Sequence, residues 1–275
     1  MSFEREKPKF GASNPALNTS HDSSRGEVVS WIVGLVVAVL CLYWAVGLAT
    51  DFLARKISDE QEAKWFAGDR VFGLTGFTST SGAEDPDFLR CQSLLTQLKS
   101  DKSLRRLPYN LYYSNSKTPN AFAAPGGSLM VTQGLLDLVK SDMGLAMVLG
   151  HELGHLQYRD PLRGMGRNIL MSLILAVFVG GDASAAQFIV GMVENSYSRD
   201  QELRADQFGF KLLFSTFHRT AGALEFFEKM SEHQNSQIHA LASMLSTHPF
   251  TPDRIDALRS LEATLRKIQD SNHQK

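Results

Sequence analysis

Two histidines and a glutamate fall within five residues at His151 to His155, HELGH, with an apolar run before them and a polar one after. At 3.6 residues per turn, positions i and i+4 share one helical face, so His151 and His155 can offer two imidazole nitrogens to one ion. Glu152 is one residue on from the first of that pair. From there its carboxylate reaches a water at the metal without becoming a ligand. H-E-x-x-H with this division of labour is the signature of zinc metalloproteases. The plainer reading is a surface helix with two solvated histidines. A third protein ligand decides between them, because a catalytic zinc takes three and keeps one position open.

That ligand is sought 47 residues beyond His155, in YSRDQELRADQFGF, where Glu202 and Asp206 stand at i, i+4. Ala205, Phe208, Leu212 and Leu213 support a helix there. On one face of it, Glu202 would bind the ion. Asp206 would accept the second ring N–H of a ligand histidine and fix its tautomer. The competing reading is an exposed helix laced with surface pairs among Arg199, Glu202, Arg204 and Asp206. The HExxH upstream is what weighs against it.

The elements that must position these residues can also be read. Ser141 is an N-cap candidate with Asp142 in the first turn, Met143 and Met147 form a core face, and Pro161 ends the pattern. Before that helix, Tyr109 to Tyr113 is strand-like, and Asn120 to Ala124 and Ser128 to Thr132 flank the turn Pro125-Gly126-Gly127. Leu135 to Val139 starts a short helix. In FLRCQSLLTQLKS, Phe88, Cys91, Leu94, Leu95 and Leu98 are spaced for one buried face. A sheet edge beside such a cleft could bind an extended peptide as an added strand, or the hairpin could be scaffold alone.

From Val28 to Thr50 no residue is charged, and 23 residues suffice to cross a bilayer core of about 30 Å. Trp31, Tyr43 and Trp44 lie towards its ends, where aromatic rings favour the interface. A cleaved signal peptide would be shorter and begin earlier. A single-pass membrane protein is therefore expected, in a bacterial inner membrane or its equivalent. Arg55, Lys56 and Lys64 after the span and Arg5, Lys7 and Lys9 before it pull the orientation in opposite directions, with the periplasmic side slightly favoured for the larger part. The expected organisation is a disordered tail over 1–27, the span over 28–50, a charged connection over 51–85 and a catalytic domain over 86–270. The apolar stretch from Ile169 to Val193 is interrupted by Gly180, Gly181 and Asp182, so it is read as helices buried in the domain or resting on the bilayer. A net charge of -1 gives no reason to expect nucleic acid as a partner. Cys41 lies within the apolar run, so no disulfide with Cys91 is expected.

HELGH, then NSYSRDQELRAD (Asn195 to Asp206), then STHPFTPDR (Ser246 to Arg254), together with PNAFAAPGG (Pro119 to Gly127), resembles the HtpX and CAAX prenyl protease family of gluzincin metallopeptidases. The similarity is greatest to its BepA-like and Oma-like branch, with a compact catalytic domain, and covers roughly Phe88 to Ile268. It implies an α+β, mainly helical zincin-type domain with a small sheet and hairpin, preceded by one transmembrane helix. It implies one zinc held by His151, His155 and Glu202, with Glu152 as general base and Asp206 behind the ligands. It also points to His248 as an extra ligand or transition-state stabiliser, and to Arg254 as a residue that orients it or meets the substrate. The implied partners are a polypeptide, bound as an added strand along the 119–132 hairpin, and membrane lipid. The resemblance says nothing of oligomeric state. Two other classes stay in view: a chaperone-like membrane protein with a latent zinc site, and a zinc hydrolase acting on a non-peptide amide.

Overall fold

The computed structural model describes residues 25–68, 85–179, 197–234, 247–249 and 251–273. The tail before Arg25, residues 73–84 of the loop-like stretch and residues 180–193 of the second apolar stretch lie outside them.

The first helix, α1, runs Arg25–Lys56 and is long and apolar enough to cross a membrane, with a mean hydropathy of 2.5 over its most apolar window. It extends past the expected Thr50, since Asp51 to Lys56 holds no helix breaker. The chain divides into two compact units, residues 1–45 and 46–275. In the first, Trp31, Ile32, Leu35 and Trp44 are exposed, as suits side chains that face lipid. The second begins within α1. Val46, Thr50 and Ala54 are buried there, and Ala54 packs with Leu162 and Met165. Ser58 then starts α2 (Asp59–Trp65) through a capping box with Gln61.

Helix α3 (Pro86–Leu98) opens with Asp85 as N-cap and Pro86 in the first turn, and buries the expected Phe88, Cys91, Leu94, Leu95 and Leu98. Three strands follow, β1 (Asn110–Ser114), β2 (Ala121–Ala124) and β3 (Ser128–Thr132), in the order β1-β3-β2. β3 is parallel to β1 and antiparallel to β2, with Ala121 opposite Val131 and Ala124 opposite Ser128. The turn between β2 and β3 requires glycine: Gly126 and Gly127 have φ of 84° and 87°, and a Cβ on Gly126 would lie 2.3 Å from the carbonyl oxygen of Phe66.

Thr132 caps α4 (Gln133–Leu138), and Ser141 caps α5 (Asp142–Gln157) by accepting the Gly144 N–H. Every residue of α5 from Met143 to Leu156 is buried, so this helix has no solvent face. It is followed by α6 (Asp160–Val179), α7 (Arg199–Phe217), α8 (Glu225–Gln234) and α9 (Pro252–His273). A capping box of Ser198 and Gln201 starts α7. The architecture is the expected one: mainly helical, with one small sheet.

The contact between α5 and α7 sets the site. Gly150 and Gly154 of α5 meet Gly209 and Ala205 of α7 backbone to backbone. A Cβ on Gly150 would stand 2.9 Å from the Gly209 oxygen, one on Gly154 2.8 Å from the Ala205 oxygen, and one on Gly209 2.5 Å from the Gly150 carbonyl carbon. Real Cβ atoms do not approach that closely, so these glycines let the two helices touch.

Candidate metal centre

His151, Glu152 and His155 come from α5, Glu202 and Asp206 from α7, His248 from the segment before α9, and Arg254 from the first turn of α9. All are buried. The surface-pair reading of α7 does not hold, because Glu202 and Asp206 are both fully inaccessible. Arg204, assigned to that surface lacing, donates instead to Asp160 Oδ1 at 2.8 Å and lies over the Tyr158 ring at 4.1 Å.

Each motif histidine is held from behind by its own carboxylate. His151 Nδ1 is 2.8 Å from Asp206 Oδ1. His155 Nδ1 is 3.1 Å from Asp160 Oδ2, a partner the sequence reading missed. Asp160 follows Arg159, whose backbone is left-handed at φ 60° between α5 and α6, and this bend turns the carboxylate back on the helix that precedes it. Arg254 grips Asp206 with two bonds, Nε to Oδ2 at 2.6 Å and Nη2 to Oδ1 at 2.8 Å, and places Nη1 2.7 Å from Glu202 Oε2. The ring of Tyr197, also missed, stacks on His155 at 3.9 Å, and the Tyr197 backbone N–H donates to the Thr247 carbonyl at 3.1 Å.

These partners fix the protonation pattern. Burial alone would raise the Asp206 carboxyl, but its bonds to Arg254 and His151 hold it below the usual range. At Asp160 burial is likewise outweighed, by His155, Gln201 and Arg204. Burial also opposes ionisation of Glu202, and the surrounding imidazoles pull its carboxyl far below its ordinary value. Asp206 and Asp160 each accept the Nδ1–H of their histidine, which turns both Nε2 atoms towards the centre of the site. Those two atoms face each other across 3.1 Å.

Two lone pairs at that separation repel unless positive charge lies between them. Burial depresses His151, whereas at His155 the bonds to Asp160 and Glu202 overcome burial and raise it to about 9, so that without a metal a proton is favoured at this point. Glu202 Oε1 is 3.3 Å from His155 Nε2, and His248 Nδ1 is 3.1 Å from the same oxygen and 3.3 Å from His151 Nε2. One donor atom from each of His151, His155, Glu202 and His248 lies within 4.8 Å of the others. Two to three imidazoles with one carboxylate is a donor set that suits zinc. Beside it, both oxygens of Glu152 are buried without a hydrogen bond among the described residues, and His248 Nε2 stands 3.7 Å from one of them. An orphaned carboxylate this deep is costly, which marks a group kept for chemistry. An apolar recess walled by Val148, Phe226, Phe227 and Met230 opens next to His151 and His248.

A helix-dominated domain with paired, carboxylate-backed histidines and a glutamate on a crossing helix defines a metallopeptidase of the HExxH type. Residues 87–262 match the model of peptidase family M48, and the chain belongs to that family of zinc-dependent metallopeptidases. It is 30% identical to the metalloprotease LoiP of Escherichia coli over 221 residues, 77% of this chain and 84% of that protein. It is 29% identical to the mitochondrial metalloendopeptidase OMA1 of Schizosaccharomyces pombe over 265 residues, 89% of this chain and 74% of that protein. The Arabidopsis thaliana protein of the same name is 32% identical over 149 residues, 53% of this chain, and the match spans only 30% of its length.

Proposed function

We propose that this chain is a membrane-anchored zinc endopeptidase that cleaves polypeptides in protein quality control. The observation that carries the reading is the pair of Nε2 atoms 3.1 Å apart, each backed by an ionised carboxylate, beside a buried Glu152 that makes no hydrogen bond among the described residues. His151, His155 and Glu202 hold the zinc. Bound there, it lowers the pKa of water to about 7 and polarises a carbonyl. Glu152 takes the proton of the attacking water at a carboxylate oxygen and passes it to the departing amine. His248 offers Nδ1 to the ligand cluster, and its Nε2, which makes no hydrogen bond among the described residues, is a donor for the oxyanion. Arg254 works through Asp206 and Glu202 as a positioning residue.

The substrate lies as an added strand along the 119–132 hairpin, supported by the position of β2 at the sheet edge and its packing on α5. The apolar recess beside His151 supports an apolar side chain next to the scissile bond. The apolar run of α1 anchors the protein once in the membrane, and the exposed residues around it contact lipid. Arg5, Lys7, Lys9 and Arg25 before the span against Arg55, Lys56 and Lys64 after it support a catalytic domain on the periplasmic side or its equivalent.

A second reading, a chaperone-like protein with a latent site, is favoured by one observation: His248 Nδ1 lies close enough to act as a fourth ligand, and a four-ligand zinc is closed. Cleavage of casein by the full chain in detergent, wild type beside Glu152→Gln, with zinc measured on both, decides. About one zinc in each and turnover reduced by roughly 10² to 10⁴ in the variant is expected. Zinc in both with cleavage in neither selects the latent site. No zinc in either folded protein overturns both readings.

A further inference from the structure

A second buried ionic assembly lies behind the metal site, centred on α2. Glu62 is 1% exposed. Its Oε1 accepts the Gly126 N–H at 3.2 Å, and its Oε2 accepts from Arg105 Nη2 at 2.5 Å and Arg159 Nη1 at 3.4 Å. Asp59 Oδ1 accepts from Arg105 Nη2 at 2.7 Å and from Arg159 Nη2 at 3.1 Å. Arg105 in turn donates to the Leu156 carbonyl at 2.8 Å, in the last turn of the HExxH helix. Arg159 Nη1 also donates to the carbonyls of Ala54 and Ile57, at 2.8 and 2.7 Å, which the end of α1 leaves without partners inside the helix.

Arg159 is where these bonds meet the metal site. It stands in the left-handed region, a helix-terminal position that glycine normally fills because a Cβ is disfavoured there. An arginine in such a place keeps an unfavourable backbone for the sake of its side chain. The next residue, Asp160, orients His155. The carboxylates of α2 grip the guanidinium, the guanidinium holds the bend, and the bend aims Asp160 at the histidine ring.

We propose that Arg159 is a positioning residue of the metal site, held by Asp59 and Glu62, so that the helix following the membrane span belongs to the zinc-binding apparatus. The proposal rests on the zinc reading above. Groups behind metal ligands set ring orientation and typically contribute 10- to 100-fold in metal affinity.

Arg159→Gly separates side chain from backbone, since glycine accepts the left-handed bend and removes the whole side chain with its guanidinium. Zinc affinity is measured by competition with a chromophoric chelator on the full chain in detergent, alongside thermal unfolding of the apo form, for wild type, Arg159→Gly, Arg159→Lys and Glu62→Gln. The expected result is a dissociation constant raised roughly ten-fold by Arg159→Gly, with smaller increases for the other two. Glu62→Gln should add little on the Arg159→Gly background, because both act through one contact chain. If Arg159→Gly does not fold, the near-isosteric Glu62→Gln and the charge-retaining Arg159→Lys carry the same comparison. Folded variants binding zinc within two-fold of wild type overturn the proposal alone, even where their unfolding temperature falls. A wild type without zinc overturns the zinc reading and this proposal with it.

Discussion

Replacing Asp160 with asparagine tests the carboxylate behind His155. The change is nearly isosteric, so its effect follows from hydrogen-bond roles. Asp160 Oδ2 accepts the His155 Nδ1–H, while Oδ1 accepts from Gln201 Nε2 at 3.1 Å and Arg204 Nη2 at 2.8 Å. An amide satisfies only one side. With its oxygen towards His155, its NH2 faces two donors, at a cost of about 1–3 kcal/mol for the bonds lost to charged and polar partners. With its oxygen towards Arg204, its NH2 forces the His155 proton onto Nε2, the atom that faces His151 across 3.1 Å. That orientation costs about 10- to 100-fold in zinc affinity, or about 1.4–2.7 kcal/mol. The expected outcome is a combined loss of about 1.5–3 kcal/mol across apo stability and zinc affinity, measured by thermal unfolding and chelator competition. An Asp160→Asn chain within about 0.5 kcal/mol of wild type in both would refute the assignment of Asp160 as the group that fixes His155.

Gly209→Ala should push α7 away from α5, since its Cβ would meet the Gly150 carbonyl carbon and the His151 nitrogen at 2.5 Å. A loss of about 1–3 kcal/mol is expected, with weaker zinc binding because Glu202 and Asp206 move with the helix; unaltered unfolding and affinity would contradict the close crossing. Glu225 accepts the backbone N–H groups of Lys140 and Ser141 at the start of the HExxH helix. Burial opposes its ionisation, but these bonds and Lys229 pull its carboxyl down to about 2. Its stabilisation is therefore complete above its ordinary pKa near 4.5 and lost as pH falls towards 2. Glu225→Gln should be less stable than wild type by about 1–2 kcal/mol at pH 6, after allowance for solvent screening, with a gap that closes below about pH 3. A gap independent of pH would rule this out.

What could be read in the sequence was whatever local spacing encodes. The i, i+4 pairs, the Ser141 cap, the Pro-Gly-Gly turn and the apolar face of α3 all depend on neighbours within a few residues. Asp160 is also near in sequence, only five residues from His155, but its role depends on one left-handed residue that no periodicity announces. Had Asp-Pro after the motif been taken as a carboxylate at the start of the next helix, it could have been found. Glu62 was out of reach: among the charges of Asp51 to Lys64 it looks like any solvated glutamate, and its burial is set by Arg105, 43 residues on. The small residues of HELGH and its partner helix were passed over because glycine in a helix reads as a weakness until a second backbone is laid against it. The resemblance points to Arg254 as a residue that orients His248 or meets the substrate, whereas the fold commits its guanidinium to Asp206 and Glu202.

The glycine crossing also bears on how this enzyme can change. Where two helices are separated by side chains, their spacing drifts with each substitution between them. Here the gap between the histidine helix and the glutamate helix is set by main-chain atoms alone, a dimension mutation cannot adjust gradually. The metal geometry is thereby insulated from variation elsewhere in the core. Phe226, Phe227 and Met230 of the neighbouring recess come from a different helix, which takes no part in that crossing.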